Sequence, residues 1–379
     1  MFRSFFQGGF ESSSHRRPDA SQLDMIAATD HDVRAEEDYR LLRRAGMGTA
    51  RDAVRWHLIE TAPGRYDWSS WRPMLQAAQA ADLQVIWDLC HYGLPHDVDI
   101  WSSAFPERFA AFCEAAARFF REHSDEVPFW CPMNEISFWA WGGGDKQYLY
   151  PAAIGRGPEL KRQLIRAAIA GTAAARGVDR RARFVQAEPL INIVHDLYKP
   201  EDREPAAAYN EAQFQAWDML CGRLDPELGG RPEYLDIVGV NYYWDNQWIH
   251  NFWQIGVGHR QHVPLHKLLA KVHDRYGRPM LIAETGCEHD NGPPWINWIG
   301  GEVRRALRLG LPVHGLCLYP VMDYPGWADD RHCRVGLIKL DAKYQQRSLD
   351  RELAMALEEE AQLFAPLLSA RPEMALAAD

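Results

Sequence analysis

Two stretches of this 379-residue chain end an apolar run in a glutamate. One begins at Phe129 and reads Phe-Trp-Cys-Pro-Met-Asn134-Glu135, followed by Ile-Ser-Phe-Trp-Ala-Trp141; the other reads Met280-Leu-Ile-Ala-Glu284-Thr-Gly286. Short apolar runs of this kind read as buried strands, and a carboxylate is costly to bury without a partner. Each glutamate is therefore expected where its strand opens into a pocket. Two carboxylates at two strand ends of one domain suit cleavage of a glycosidic bond, in which one protonates the departing oxygen and the other acts at the anomeric carbon.

The segments that must position this pair alternate along the chain. Strand-like runs are expected at 3–10, 49–56, 83–89, from Phe129, at 184–187, 235–241, from Met280 and at 313–319. Helix-like segments are expected between and after them at 32–45, 71–81, 106–122, 159–176, 209–221, 265–276, 296–309 and 349–364, with Gly46 ending the first. Loops are expected at 142–158 and 196–205, and a frayed tail at 372–379. Strict strand–helix alternation implies parallel strands with right-handed crossovers. Eight such units close most naturally as one α/β domain over 1–379, a single (β/α)8 TIM barrel with its core at 3–364 and its site at the carboxyl ends of the strands. An open doubly wound sheet is the alternative, but Gly8-Gly9 alone does not make the glycine fingerprint that such folds carry after the first strand.

Polar residues recur at the expected strand ends. Arg51 falls on the second strand, His91 in His-Tyr-Gly-Leu-Pro95 after the third, Asn241 in Asn-Tyr-Tyr243 after the sixth, and Tyr319 and Asp323 after the eighth. Glu188 follows the fifth strand and reads as a rival carboxylate in the pocket wall. The 15 Trp, 14 Tyr and 15 Phe are mainly core, though ring faces at strand ends also make platforms for sugars.

Composition bounds the rest. A chain that is 47% hydrophobic and 25% charged, with net charge −10 and both signs interspersed, argues against a nucleic-acid partner. No run reaches membrane-spanning length, and the amino terminus lacks a signal-peptide pattern. The seven scattered cysteines, with no Cys-x-x-Cys, read as reduced core thiols of a cytoplasmic protein. His262 and His266 are four apart, but Pro264 lies between them and no third ligand is evident, so neither metal nor cofactor is expected. Oligomeric state is not legible.

In these residues the chain resembles glycoside hydrolase family 1 and its clan of barrel glycosidases. Asn134-Glu135 is similar to the family's Asn-Glu-Pro motif with Ile136 in place of Pro, and Ile-Ala-Glu284-Thr-Gly to its Ile-Thr-Glu-Asn-Gly. Gly239-Val-Asn-Tyr-Tyr243, Leu-Cys-His91-Tyr-Gly-Leu-Pro95, Ala-Pro-Gly64-Arg-Tyr-Asp-Trp68 and the stretch from Trp327 to Gly336-Leu-Ile resemble further family pieces, in order. The resemblance implies a retaining β-glycosidase for a small glycoside, with Glu135 as acid/base and Glu284 as nucleophile. It implies Arg51 and Tyr243 as orienters of Glu284, Asn134 and His91 as partners of sugar hydroxyls, Asn241 as a supporting residue, and Trp327 with Tyr319 as stacking surface. Transglycosylation at the same site, or an idle sugar-binding barrel, are the alternatives. The loop after the eighth strand departs from the family: Tyr319 replaces a Trp and Gly326 the Glu that binds outer hydroxyls. The expected consequence is a preference for a deoxygenated, modified or non-gluco sugar over glucose, unless Asp323, Glu11 or Asp329 supplies the missing carboxylate.

Overall fold

The protein is described here by a computed structural model covering residues 1–17, 19–329 and 331–370. Among the described residues, eight parallel strands close into a barrel: β1 Phe6–Gly9, β2 Thr49–Ala53, β3 Gln84–Asp88, β4 Phe129–Cys131, β5 Arg183–Pro189, β6 Ile237–Asn241, β7 Met280–Thr285 and β8 Val313–Leu318. Neighbours in the barrel are neighbours in sequence, and β1 closes it by pairing with both β2 and β8. The (β/α)8 architecture expected from strand–helix alternation is the one found.

The barrel interior is apolar at its centre. Ile86, Phe129, Cys131, Val185, Ala187, Ile237, Leu281 and Ala283 fill it, and Met1 and Phe2 pack against this cluster. A second, larger core lies between the strands and the surrounding helices, α1 His31–Arg44, α2 Arg72–Ala80, α3 Phe105–His123, α4 Ile136–Gly144, α5 Gly157–Val178, α6 Arg203–Ala212, α7 Gln215–Leu220, α8 Leu265–Tyr276, α9 Gly292–Arg308 and α10 Arg351–Ser369. Prolines in the first turn set the starts of α3, α5 and α9, where a missing N–H costs nothing. For α9 this moves the start four residues ahead of the expected position. All seven cysteines are free thiols, five of them buried. No helix is long and apolar enough to cross a membrane among the described residues. The expected tail at 372–379 lies outside the described residues.

Two further helical segments differ from expectation. The helix expected at 209–221 starts earlier, at Arg203 inside the expected loop 196–205, and is broken after Ala212 into α6 and α7, because the amides of Asn210 and Gln213 serve other partners. Asn210 Oδ1 accepts from Ile193 N and Gln213 Oε1 from Ile191 N, while Phe214 N turns to Glu211 O in a tighter turn. Residues 142–144, expected in a loop, instead complete α4. Glycine is a poor helix former, which hid this element. The reason for it is contact: a Cβ on Gly143 would meet Tyr150 O at 2.7 Å, and one on Gly144 would meet Gly157 Cα at 2.6 Å.

Candidate active site

At the carboxyl end of the barrel the ladder of backbone bonds runs on past the strands into the loops. Asn134 N donates to Cys90 O (3.0 Å), Glu135 N to Ala187 O (3.0 Å), Tyr242 N to Glu284 O (2.9 Å) and Tyr319 N to Thr285 O (2.8 Å). Side chains here stand on rigid backbone, although they follow the last formal strand residue.

Arg51 on β2, only 1% exposed, is the hub. Its Nε and Nη2 clamp Asp88 Oδ1 and Oδ2 at 2.9 and 2.8 Å, and its Nη1 donates to Glu284 Oε1 at 2.7 Å. Nη2 also donates to Asn134 Oδ1 at 2.6 Å. Asp52 and Glu60, the acidic residues that follow Arg51 in sequence, are engaged elsewhere. Asp52 accepts from Tyr39 and faces His31, and Glu60 accepts from Trp56 and Arg108. Tyr243 donates its hydroxyl to Glu284 Oε2 at 2.9 Å, so both oxygens of that carboxyl hold a donor. Burial pushes the Glu284 carboxyl above its ordinary range, and the Arg51 charge works against that push.

Glu135 is set differently. Its backbone is left-handed (φ 44°), an uncommon state for a non-glycine residue that turns the chain from β4 into α4. Asn241 Nδ2 donates to its Oε1 at 2.8 Å and the Tyr92 hydroxyl to its Oε2 at 3.0 Å. Among the described residues no cation pairs with it. Burial, and then the charge of Glu284, push its carboxyl up to about 8. The rival carboxylate Glu188 does not line the cavity: it accepts from Ser137 N in the first turn of α4, and burial pushes it up to about 7. It fastens the turn that carries Glu135.

The Asn134 amide is oriented by Arg51, a donor with no acceptor, so its oxygen faces the guanidinium. Its two N–H groups then point to His91 Nε2 and the Tyr92 oxygen, each at 3.0 Å. His91 Nε2 must accept, and Nδ1 carries the proton, donating to Asp88 Oδ2 at 2.9 Å. Asn134 and His91 line the cavity, yet their polar atoms are committed to each other and to Arg51, Asp88 and Tyr92. A bond from either to a sugar requires exchange of one of these contacts.

The cavity between the strand ends measures about 840 Å3. Glu135, Glu284, His91, Asn134, Tyr243, Tyr319 and Trp327 line it, together with Glu11, Tyr92 and Tyr324. Arg51 and Asn241 stand behind it and act on the two glutamates. Tyr319 is 2% exposed, takes the Ser12 N–H on its hydroxyl, and lies against β1 where only glycine leaves room, since a Cβ on Gly9 would meet its ring at 2.2 Å. Trp327 packs edge-on to His15 and Tyr92. The outer part of the same cavity is walled by Phe138, Trp141, Tyr209, Trp248, Phe252 and Trp253.

Of the three residues able to replace the absent carboxylate at Gly326, Asp323 is 1% exposed and spent on Gly336 N and Leu340 N, and Asp329 folds over Gly326 towards Arg331. Glu11 alone of these lines the cavity, with Oε1 accepting from Ser13 N at 2.9 Å. Its charge acts on Glu284, Tyr243, Tyr319 and Tyr324.

Sequence reading passed over Asp88 and Tyr92. Asp88 carried a signal, a charge closing the apolar run Val-Ile-Trp of β3. Tyr92 carried none, since only the left-handed turn at its own backbone (φ 69°) points its ring back over the site.

No model of a known family matches the chain, and no curated protein sequence matches it either. Solved structures do match in shape. An AHE enzyme from Alicyclobacillus herbarius superposes with a TM-score of 0.75 at 19% identity, covering 88% of each chain. A β-glucosidase from Thermotoga maritima bound to glucoimidazole superposes with a TM-score of 0.75 at 15% identity, over 93% of this chain and 97% of that one. Another structure, a family 1 β-glucosidase from Thermotoga maritima, gives 0.72 at 15% identity, over 93% and 96%. At such identities the likeness is one of fold, and it extends over nearly the whole closed barrel.

Proposed function

We propose that the chain is a retaining β-glycosidase that removes one sugar from a small glycoside, with Glu284 as nucleophile and Glu135 as acid/base. The observation that carries this reading is the opposite setting of two carboxyls that line one cavity. Glu284 holds a guanidinium at 2.7 Å and a phenol at 2.9 Å, a setting that favours the ionised form. Glu135 holds only neutral donors and feels the charge of Glu284, which favours the protonated form. A pair of carboxyls driven apart in this way is what double displacement at an anomeric carbon requires.

Glu135 gives its proton to the departing oxygen as Glu284 bonds to the anomeric carbon. Esterified Glu284 no longer carries charge, so the proton affinity of Glu135 falls and it takes a proton from the attacking water. Trp327 and Tyr319 offer surface to the retained sugar, and Glu11, just after β1 and on the cavity wall, offers it an acceptor. The β-glucosidases of like fold support a carbohydrate substrate. The test is a 2-deoxy-2-fluoro aryl β-glycoside, which should add its glycosyl mass to a peptide containing Glu284. Label on another carboxylate, or inverted product by NMR, would overturn the assignment.

A further inference from the structure

Tyr92 has no part in the reaction as drawn so far, yet its oxygen is 3.0 Å from Glu135 Oε2 and 3.0 Å from Asn134 Nδ2. We propose that Tyr92 is a positioning residue for the proton of Glu135: its hydroxyl, aimed by Asn134, occupies one lone pair of Oε2 and leaves the transferable proton facing the cavity. This rests on the reading of Glu135 as acid/base.

The directions of the hydrogen bonds follow from what each group can give. Arg51 has only donors, so Asn134 presents its oxygen to Arg51 and its N–H groups to His91 and Tyr92. The Tyr92 oxygen thus receives a hydrogen, and its own O–H points to Glu135 Oε2. Asn241 Nδ2 has likewise only hydrogens to offer Oε1. A carboxyl has about four lone-pair sites. One on each oxygen is held by a donor, and a proton cannot sit where a donor already points. The remaining sites of this cavity-lining carboxyl are the ones open to the transferable proton.

The ring cannot swing away. It is 2% exposed, hemmed by Trp139, Phe138 and Trp327 at centroid distances of 5.7, 6.0 and 6.2 Å, on a backbone held at φ 69°. Burial, then the Glu135 charge, push the phenol well above its usual range, so it remains a donor. In the first half-reaction the Glu135 O–H bond breaks towards the glycosidic oxygen, which keeps the electron pair of the breaking C–O bond. In the second, water bonds to the anomeric carbon, its proton returns to Glu135, and the ester pair returns to Glu284. Tyr92 and Asn241 stabilise the ionised Glu135 that stands between these steps.

The test is Tyr92→Phe, which keeps the ring and removes the hydroxyl. Losing a donor to the ionised carboxyl should raise the alkaline limb of kcat/KM by about one to two pH units. kcat should fall about 10-fold or more on alkyl glycosides, and less on 2,4-dinitrophenyl glycosides. In a Glu135→Gln background the same substitution should cost little further. Replacing Tyr92 by 3-fluorotyrosine, a stronger donor, should move the limb down instead. An unmoved limb in both Tyr92 variants, or a full multiplicative loss in the Glu135→Gln background, would overturn the inference while leaving the assignment of Glu135 intact. Wild-type activity in Glu135→Gln on alkyl glycosides would overturn both.

Discussion

Glu135→Gln is the perturbation whose magnitude follows most directly from the geometry. The substitution keeps the shape and both contacts: the amide oxygen can accept from Asn241, and the amide nitrogen can donate to the Tyr92 oxygen, whose own hydrogen then turns away. The backbone turn and its Glu188 fastening are untouched. What is lost is one transferable proton, worth about 10²–10⁴ in rate when the leaving group is poor, or roughly 3–5 kcal/mol of barrier. Rates should be measured with aryl glycosides of graded leaving-group acidity, from alkyl to dinitrophenyl. The loss in the first chemical step should shrink steadily along that series. Acidity supplies the second readout. The Glu135 carboxyl is raised to about 8, so its proton is present below that pH and kcat/KM falls as pH rises through it. The variant should lose that alkaline limb while keeping the acid limb, where Glu284 must ionise. A variant with full activity on an alkyl glycoside, or with the alkaline limb in place, would refute the reasoning.

Two further outcomes are expected. Glu11→Gln, which can still accept from Ser13 N, should lower kcat/KM for the preferred aryl β-glycoside by about 10–10²-fold, and should flatten the preference over the analogue lacking the hydroxyl that Glu11 accepts; the gluco, galacto, fuco and xylo substrates assayed side by side check this, and also whether a glucoside is disfavoured in the absence of a carboxylate at Gly326. His31 is held between Asp38 and Asp52 at 2.8 Å each; burial would lower its basicity, but the Asp52 charge and the bonds to both carboxylates raise it to about 9. A folded value above the unfolded 6.5 gives stability that is whole below about 6.5 and lost as pH rises through 9. The difference between wild-type and His31→Gln denaturation midpoints should therefore shrink across that window, by on the order of 3 kcal/mol, and a constant difference would count against it.

The barrel was legible because its signals are local. Apolar runs ending in polar residues, and amphipathic segments between them, need no knowledge of what lies opposite. The failures have local causes too. The three glycines that complete α4 are unfavourable to a helix in isolation, and two of them, Gly143 and Gly144, are required only by the approach of Tyr150 and Gly157. The break between α6 and α7 depends on side-chain amides claimed by residues about 20 positions away. At the site, the strand-end residues were visible as types, but their partners were not. Nothing in His91-Tyr-Gly says that the tyrosine, rather than the histidine, reaches Glu135.

The same distinction explains how the barrel makes two unlike carboxyls from two similar strand ends. Glu284 is buried and Glu135 partly so, and each holds two hydrogen-bond donors. What separates them is Arg51, on a strand 233 residues before Glu284. A lone guanidinium at 1% exposure would be prohibitively placed, and Asp88 on the adjacent strand makes it tolerable with a two-pronged contact. That contact occupies Nε and one face of Nη2, and leaves Nη1 for Glu284. β2 and β7 are not neighbours: β1 and β8 lie between them, and only closure of the barrel turns the arginine of one towards the carboxylate of the other. An open sheet with the same strands would leave Glu284 with Tyr243 alone and no cation to set against its burial. The two carboxyls would then compete for one proton on nearly equal terms. Closure of the sheet thus sets a cation beside Glu284 and none beside Glu135, and the proposed chemistry depends on that division.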